Sequence, residues 1–243
     1  MIRPSALLPS RTLLARLQGD VADGREQRFR AEDRFFFGDV GEPNPEPTLL
    51  IALSDDSGSV TGASGTDPLS QRYREMRAAF KAVARRGSRR ELGAVLHFDT
   101  PCGADVWPTP LTRFGLRRLH RGLRLPRGVA GTSELLPSLG QAIALAQAHP
   151  GHEATLVLLS DFMLLDANTQ QALDELAQFP GDVHAVVLGG LMIGTLDERI
   201  VMSSVMRDDP PGAVGRAVFA SLVQHRPGSS VVPLTGLYEE RAT

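Results

Sequence analysis

Beyond residue 47, the chain alternates between apolar runs of strand length and segments whose apolar residues recur at helical spacing. Residues 49–53 are apolar without a break, which is typical of a strand buried on both faces. The alternation predicts an α/β fold with a mainly parallel sheet and helices on both faces. The predicted strands are 49–53, 92–98, 105–108, 155–160, 183–188 and 200–205, and the predicted helices are 68–86, 113–123, 134–148, 168–178 and 213–224.

The two ends of the chain differ from this regular part. Spaced leucines near the N-terminus indicate a short amphipathic helix, and the run Arg-Phe-Phe-Phe at 34–37 favours a strand or an aromatic packing element. Residues 41–47 contain three prolines, which interrupt both helices and sheets. We therefore predict an N-terminal extension and proline-rich linker over 1–47, one folded domain over 48–226 and a C-terminal tail over 227–243.

Composition and charge exclude several classes of protein. With 42% hydrophobic and 22% charged residues, the chain is globular rather than disordered. No apolar run approaches the roughly 20 residues of a membrane-spanning helix, and no secretion signal is visible, so we expect a cytoplasmic protein without membrane contact. The single cysteine, Cys102, excludes an internal disulfide, and a net charge of −2 argues against general nucleic-acid binding. Lys81 is the only lysine among 26 basic residues, which is typical of a GC-rich bacterial source.

Oxygen-bearing side chains follow two predicted strands and precede one predicted helix. Asp55, Ser57 and Ser59 form an Asp-x-Ser-x-Ser pattern, Thr132 belongs to a Gly-Thr loop, and Asp161 ends an apolar strand. Loops at the carboxyl ends of parallel strands meet at one edge of the sheet. Two carboxylates and three hydroxyls, without histidine or cysteine, suit a hard cation such as Mg²⁺, Mn²⁺ or Ca²⁺. The competing interpretation of the first three residues is a turn that caps a helix.

These three elements, in this order, resemble the von Willebrand factor type A domain with its metal-ion-dependent adhesion site. The resemblance covers residues 48–226 and implies a Rossmann-like, three-layer fold in which 105–108 is the antiparallel edge strand. It also implies that the hydroxyls bind the metal directly and that the aspartates act mainly through water. The open coordination position then accepts a carboxylate from a partner protein. One departure is Phe162, since this family often has glycine after the final aspartate.

The resemblance leads us to expect a divalent-metal-dependent protein–protein interaction module that is not an enzyme. By analogy with cytosolic bacterial relatives, we expect an adaptor subunit of a multi-protein stress or defence system, with a MoxR-type AAA+ ATPase as a candidate partner. Arginines are dense over 113–127. We predict that Arg117, Arg118 and Arg121 steer an acidic partner to the metal and that Phe162 adds apolar contact. A solvated helix face is the simpler interpretation of these arginines, and nucleic acid is a weaker candidate because one aromatic residue alone interleaves them.

Two alternatives stay open. A metal-dependent hydrolase or phosphatase needs a general base, for which Asp56 or Glu134 is placed, and a scaffold protein would dock through residues 1–47. The sequence has no Gly-x-Ser-x-Gly elbow and no phosphate-binding loop with lysine. A phosphotransferase of the haloacid dehalogenase type needs a second aspartate where Ser57 stands. We interpret the six scattered histidines as packing or surface residues and Cys102 as an inert thiol.

Overall fold

A six-stranded sheet lies at the centre of the computed structural model, which describes residues 35–98, 100–126, 131–190 and 196–232. The strands are β1 (Gly38–Asp39), β2 (Thr48–Ser54), β3 (Glu91–His97), β4 (Val106–Pro110), β5 (Glu153–Ser160), β6 (Asp182–Leu188), β7 (Val201–Val205) and β8 (Ser230–Val231). The helices are α1 (Gly58–Thr61), α2 (Gln71–Ala84), α3 (Arg113–Gly122), α4 (Leu136–Gln147), α5 (Thr169–Ala177) and α6 (Ala213–Val223). None of these helices has the length and apolar character needed to span a bilayer.

The order of the strands places successive parts of the chain on opposite sides of β2. The sheet order is β4-β3-β2-β5-β6-β7, and neighbouring strands are parallel except β4, which runs antiparallel to β3. The chain passes from β2 to β3 on one side and returns to β5 on the other, which creates a crevice at the carboxyl edge where such folds bind ligands. Ser54 pairs with both His97 and Leu159, so the ends of three strands are level. The mainly parallel sheet with an antiparallel edge strand confirms the predicted fold class.

Helices cover both faces of the sheet. On one face, Leu49, Ile51 and Leu53 of β2 are fully buried and pack in one cluster with Leu139 of α4 and Ala172 of α5. On the other face, α2 packs against α3 and α6. Full burial of one leucine or isoleucine side chain contributes about 1.5–3 kcal/mol. The central strand is therefore firmly anchored, and it holds the start of the loop that follows it.

Two helices begin later than the apolar spacing predicts, because carboxylates outside each helix cap its first turn. The helix predicted from residue 68 begins at Gln71, whose N–H donates to Asp67 Oδ1 at 2.8 Å. The helix predicted from residue 134 begins at Leu136, and the N–H groups of Leu135 and Leu136 each donate to the Asp166 carboxylate at 2.9 Å. Asp166 follows this helix in the sequence, so the helix start depends on a tertiary contact.

The folded unit extends beyond the predicted boundaries at residues 48 and 226. β1 and β8 form an antiparallel ribbon with Gly38 opposite Val231. The aromatic run contributes a packing residue directly before β1, since Phe37 is buried and its ring centroid lies 5.6 Å from that of Phe219. Residues 37–39 and 230–231, which we predicted as extension and tail, therefore belong to the fold. The leucine-rich stretch near the N-terminus lies outside the described residues.

Candidate metal centre

The loop after β2 (residues 55–59, here called the β2 loop) places two hydroxyl groups side by side. Asp55 and Ser57 are fully buried, and the Ser57 N–H donates to Asp55 Oδ1 at 2.8 Å. This bond closes a tight turn of the kind that aspartate favours. The hydroxyl oxygens of Ser57 and Ser59 lie 2.9 Å apart. The β2 loop thus offers a pair of neutral oxygen donors next to a buried carboxylate.

The segment after β5 brings a second carboxylate to the same edge. Ser160 Oγ donates to Asp55 Oδ2 at 2.6 Å, which joins the ends of β2 and β5. Asp161 is 3% exposed, and its Oδ1 accepts the Met163 N–H at 3.0 Å. Its Oδ2 is buried without a hydrogen-bond partner among the residues that the structure describes. A buried charged oxygen that lacks a donor is destabilising. A cation, through a water molecule that it binds, would satisfy this oxygen, so the atom fits the metal that the resemblance implies.

A third segment approaches the β2 loop through a glycine. Gly131 pairs with Ser57 in an isolated parallel bridge. A Cβ atom at Gly131 would lie 2.1 Å from the Asp56 carbonyl oxygen, so only glycine allows this close approach. Thr132 follows, and it lines a surface depression of about 860 Å³ together with Ser59. The three segments that the sequence places at one edge therefore meet there, and their oxygen donors suit a hard divalent cation.

Burial governs the ionisation of Asp55. Loss of hydration raises the pKa of its carboxyl above the ordinary value, and hydrogen bonds from Ser160 and Ser57 act in the opposite direction. The negative charge of Asp161 raises this pKa further. Two carboxylates thus interact in a poorly hydrated space. A divalent cation beside them would favour the ionised form of Asp55.

Phe162 adopts a backbone conformation that favours glycine. Its φ is +59°, in the left-handed region, which explains a preference for glycine directly after the aspartate. The Phe162 side chain is 5% exposed and belongs to the hydrophobic core. This corrects the prediction that Phe162 contacts a partner, because its ring offers almost no surface. The exposed apolar side chains here are Met163, 54% exposed, and Leu165, 73% exposed, and both line the depression that contains Ser59.

The arginine-rich helix α3 runs from the far end of the sheet to the edge that carries the β2 loop. It follows Pro110, which pairs with Leu92 near the start of β3. It ends at Gly122, whose carbonyl oxygen lies 3.1 Å from His97 Nε2 at the end of β3. The two ends of α3 therefore lie at opposite edges of the sheet.

Because of this orientation, the arginines of the predicted steering surface do not all lie near the site. Arg117, Arg118 and Arg121 are exposed, and the last two line a depression of about 470 Å³ beside β4. Arg113 is also exposed, but it begins α3 at the edge opposite the β2 loop. It is therefore too far from the site to belong to a steering surface there. Arg127 lies outside the described residues.

A buried polar network lies behind the β2 loop and has no clear signal in the sequence. The Asp56 carboxylate accepts hydrogen bonds from Arg72 and, at 2.6 Å, from the Tyr73 hydroxyl, and it lies 2.7 Å from His97 Nδ1. None of these four residues is more than 6% exposed. The carboxylate of Asp56 is therefore engaged away from Asp55, which corrects its candidacy as a general base. One general rule could have indicated that Asp56 faces away from Asp55: the side chains of adjacent residues at a strand end point in opposite directions.

A cluster of ligand-type side chains lies next to this network. Ligand atoms of His97, Cys102 and Asp105 lie within 4.8 Å of one another. Both His97 nitrogens have partners, since Nδ1 contacts Asp56 and Nε2 contacts the Gly122 carbonyl. The Asp105 carboxylate accepts the Cys102 N–H at 2.7 Å, and burial raises the pKa of the Cys102 thiol. We interpret this cluster as structural, because a thiol with a raised pKa is a poor metal ligand at neutral pH.

Comparisons with known proteins identify similar folds but no similar sequences. No protein-family model matches the chain, and no curated protein sequence matches it significantly. The pilus adhesin SpaC from Lactobacillus rhamnosus GG matches with a TM-score of 0.55 and 11% identity, over 76% of this chain and 31% of that chain. A von Willebrand factor type A structure from Catenulispora acidiphila matches with a TM-score of 0.50 and 12% identity, over 74% of this chain and 43% of that one.

A third solved structure is proximal thread matrix protein 1 from the mussel byssus, in a form whose MIDAS motif is occupied by zinc. It matches with a TM-score of 0.49 and 14% identity, over 76% of this chain and 49% of that one. This chain spans less than half the length of each of these three structures. At such low identity, the likeness concerns architecture alone. The chain has the fold of a von Willebrand factor type A domain, as the sequence resemblance implies.

Proposed function

We propose that this chain is a protein–protein interaction module whose binding depends on a divalent cation. The observation that carries the proposal is the buried Asp161 Oδ2, which has no donor in the described part of the chain. The hydrogen bond from Ser160 to Asp55 connects this carboxylate to the β2 loop and its two hydroxyls. Such a set of oxygen atoms is better explained by a cation than by internal hydrogen bonding, because carboxylates accept hydrogen bonds and donate none when ionised.

Each residue predicted for the metal site has a role in this proposal. The hydroxyls of Ser57, Ser59 and Thr132 would hold the cation directly, and Asp55 and Asp161 would hold it through water and by charge. Direct ligands that are neutral leave a hard cation such as Mg²⁺, Mn²⁺ or Ca²⁺ with most of its positive charge. When bound, the cation supplies an electrophilic position for an aspartate or glutamate of the partner. The chain itself supplies the positions of the donors, which the turn at Ser57 and the bond from Ser160 fix.

The surface near the site favours an acidic partner with some apolar character. Met163 and Leu165 expose apolar side chains in the depression that contains Ser59 and Thr132. Arg118 and Arg121 expose positive charge on α3. An apolar contact around a charged anchor is the usual arrangement of a protein interface. We propose an adaptor role in a bacterial cytoplasmic assembly, with a MoxR-type AAA+ ATPase as candidate partner by analogy with the family that the sequence resembles.

An interaction role is better supported than a hydrolase. Of the two candidate bases, Asp56 is occupied by Arg72, Tyr73 and His97, which leaves the exposed Glu134. We therefore propose that the chain does not catalyse a reaction. The purified protein with Mg²⁺ or Mn²⁺ should show no phosphatase or esterase turnover above background. Turnover that Asp161→Ala removes would favour the hydrolase.

Metal titration tests the proposed site. Calorimetry with Mn²⁺ should show one site on the parent chain, and Ser57→Ala should weaken its affinity by at least about tenfold, since a direct ligand is lost. Ser64→Ala is the matched control, because Ser64 is an exposed serine in the loop after α1 and should bind Mn²⁺ as the parent does. Equal affinities for the two variants would contradict the assignment of Ser57.

Partner binding provides the second test. A partner that is retained with Mg²⁺ should be released by chelation and by Ser57→Ala, whereas Ser64→Ala should retain it. Retention that survives both chelation and Ser57→Ala would contradict the metal-bridged mode. That result would favour docking through residues 1–47 instead.

A further inference from the structure

One arginine side chain holds both ends of the segment that carries the Asp-x-Ser-x-Ser pattern. Arg72, in the first turn of α2, is 1% exposed. Its NH2 group donates to the Asp55 carbonyl oxygen at 3.1 Å and to the Asp56 carboxylate, and its NH1 group donates to Asp67 Oδ2 at 2.8 Å. The Arg72 guanidinium therefore contacts the chain twice, at Asp55, where the pattern begins, and at Asp67, beyond its end.

At the start of the segment, backbone hydrogen bonds fix the direction of the Asp55 side chain, which is a candidate metal ligand. The Asp55 N–H donates to the Leu159 carbonyl at 2.9 Å, and the Asp55 carbonyl oxygen accepts from Arg72. Both peptide groups of Asp55 are thus fixed. Its side chain is left facing Ser57 and Ser160, while the carboxylate of Asp56 faces Arg72.

The far end of the segment is connected to another candidate ligand. The Thr66 N–H donates to the Ser59 carbonyl at 3.0 Å, and the Asp67 N–H donates to the Val60 carbonyl at 2.8 Å. A shift of Asp67 would therefore be passed to the backbone of Ser59. Arg72 bonds to both Asp55 and Asp67, and Asp67 is connected to Ser59. The side chain of Arg72 therefore constrains the distance between Asp55 and Ser59, two of the residues proposed to hold the cation.

We propose that Arg72 is a positioning residue of the metal site, acting through Asp55 and Asp67 rather than on the cation. This inference rests on the proposed function. A guanidinium suits the role because its N–H groups form a rigid fork that can hold several acceptors at once, whereas a lysine ammonium is a flexible point charge. The positive charge of Arg72 is more than balanced by the contacting carboxylates of Asp56 and Asp67, so it does not act as an isolated charge that repels a cation.

Positioning and simple charge predict opposite results when Arg72 is lost. If Arg72 acted by its charge alone, removal of a positive group near the site would tighten Mn²⁺ binding. If it positions the loop, removal weakens Mn²⁺ binding despite the more favourable electrostatics. For loss of Arg72 alone, the direction of the change therefore separates the two explanations. When Arg72 and its partner Asp56 lose their charges together, the charge explanation predicts an unchanged Mn²⁺ affinity, whereas positioning still predicts a weaker one.

The experiment is calorimetric titration of the full chain with Mn²⁺. The double variant Arg72→Met/Asp56→Asn removes one positive and one negative charge, so the net charge is unchanged and the buried Asp56 carboxylate is not left unpaired. We expect its Mn²⁺ affinity to fall by about tenfold, the lower end of the range for groups that orient metal ligands. Arg72→Lys keeps the charge and should lie between the double variant and the parent. Arg77→Met is the control, because Arg77 lies on the same helix and has no described hydrogen bond to the β2 loop.

The outcomes separate this inference from the proposed function. Thermal unfolding of each metal-free variant shows whether it is folded at the titration temperature. A folded double variant that binds Mn²⁺ like the parent overturns the role of Arg72 and leaves the proposed function intact. If the parent binds no Mn²⁺, both are overturned. If the double variant does not fold, Arg72→Lys decides, and parent-like affinity in that variant overturns the inference.

Discussion

Neutralising Asp161 should have opposite effects on stability with and without a cation. Asp161→Asn keeps the shape of the side chain and removes its charge. In the metal-free protein, Oδ2 of Asp161 is buried without a donor in the described structure, and the like charge of Asp55 acts on it. Replacing this charged oxygen by the uncharged NH2 group of an amide removes the repulsion from Asp55, while the amide oxygen can still accept the Met163 N–H. We expect the metal-free variant to be more stable than the parent by about 1 kcal/mol.

With the cation bound, we expect the parent to be more stable than Asp161→Asn. At a free Mn²⁺ concentration about 100 times the dissociation constant, binding stabilises the native state by about 2.7 kcal/mol. For a folded unit of this size, 1 kcal/mol corresponds to roughly 2–4 °C in Tm, so the parent should gain about 5–10 °C. Asp161→Asn should start about 2–4 °C higher and gain nothing from Mn²⁺.

Differential scanning calorimetry with chelator and with Mn²⁺ measures both effects. Asp166→Asn is the matched control, because Asp166 is also a buried aspartate but its oxygens accept the N–H groups of Leu135 and Leu136. Neutralising Asp166 should lower the stability of the metal-free protein by about 1 kcal/mol, since it weakens the cap of α4, and should preserve the Mn²⁺ shift. If Asp161→Asn instead behaves like this control, the reasoning from the unpartnered oxygen is refuted.

Three further predictions concern other parts of the molecule. Burial lowers the pKa of His184, whose two ring nitrogens contact serine hydroxyls. Its contribution to stability is therefore present above the ordinary value of about 6.5 and lost as the pH falls below it. Urea unfolding at about pH 7 and about pH 5 should show a smaller loss for His184→Gln than for the parent, and an equal loss would contradict this role. Phe162→Ala should destabilise the protein by about 3–5 kcal/mol in urea unfolding, and a loss under about 1 kcal/mol would contradict its place in the core. Once a partner is known, Arg118→Glu should slow association and reduce its salt dependence, whereas Arg113→Glu should change neither, and equal effects would argue against steering.

The sheet is predictable from the sequence because its central strands are buried on both faces. β2, β3, β5 and β6 are therefore nearly continuous apolar runs. Once their order is known, the meeting of the oxygen-bearing loops at one edge follows from parallel pairing. β1 and β8 are different, because two residues in each strand are too few to carry a periodic pattern.

Side-chain directions within the site are not predictable in the same way. Asp55 and Asp56 are adjacent and chemically identical, and partners from α2 and β3 hold Asp56 away from the site. The apolar run after Asp161 is equally ambiguous. The left-handed backbone at Phe162 directs that ring into the core, while Leu165 stays exposed. Composition alone does not distinguish these two apolar residues.

The hydrogen bond from Ser160 to Asp55 joins residues that are 105 positions apart in the chain. β2 and β5 must pair before Asp55 and Asp161 come together, and bringing such distant residues together has an entropic cost. A cation therefore cannot assist the early steps of folding, because its binding site forms with the finished sheet. Cation binding should therefore prolong the lifetime of the native state. It should slow unfolding and leave the refolding rate unchanged. A cation at the proposed site would therefore bind only after β2 and β5 have paired.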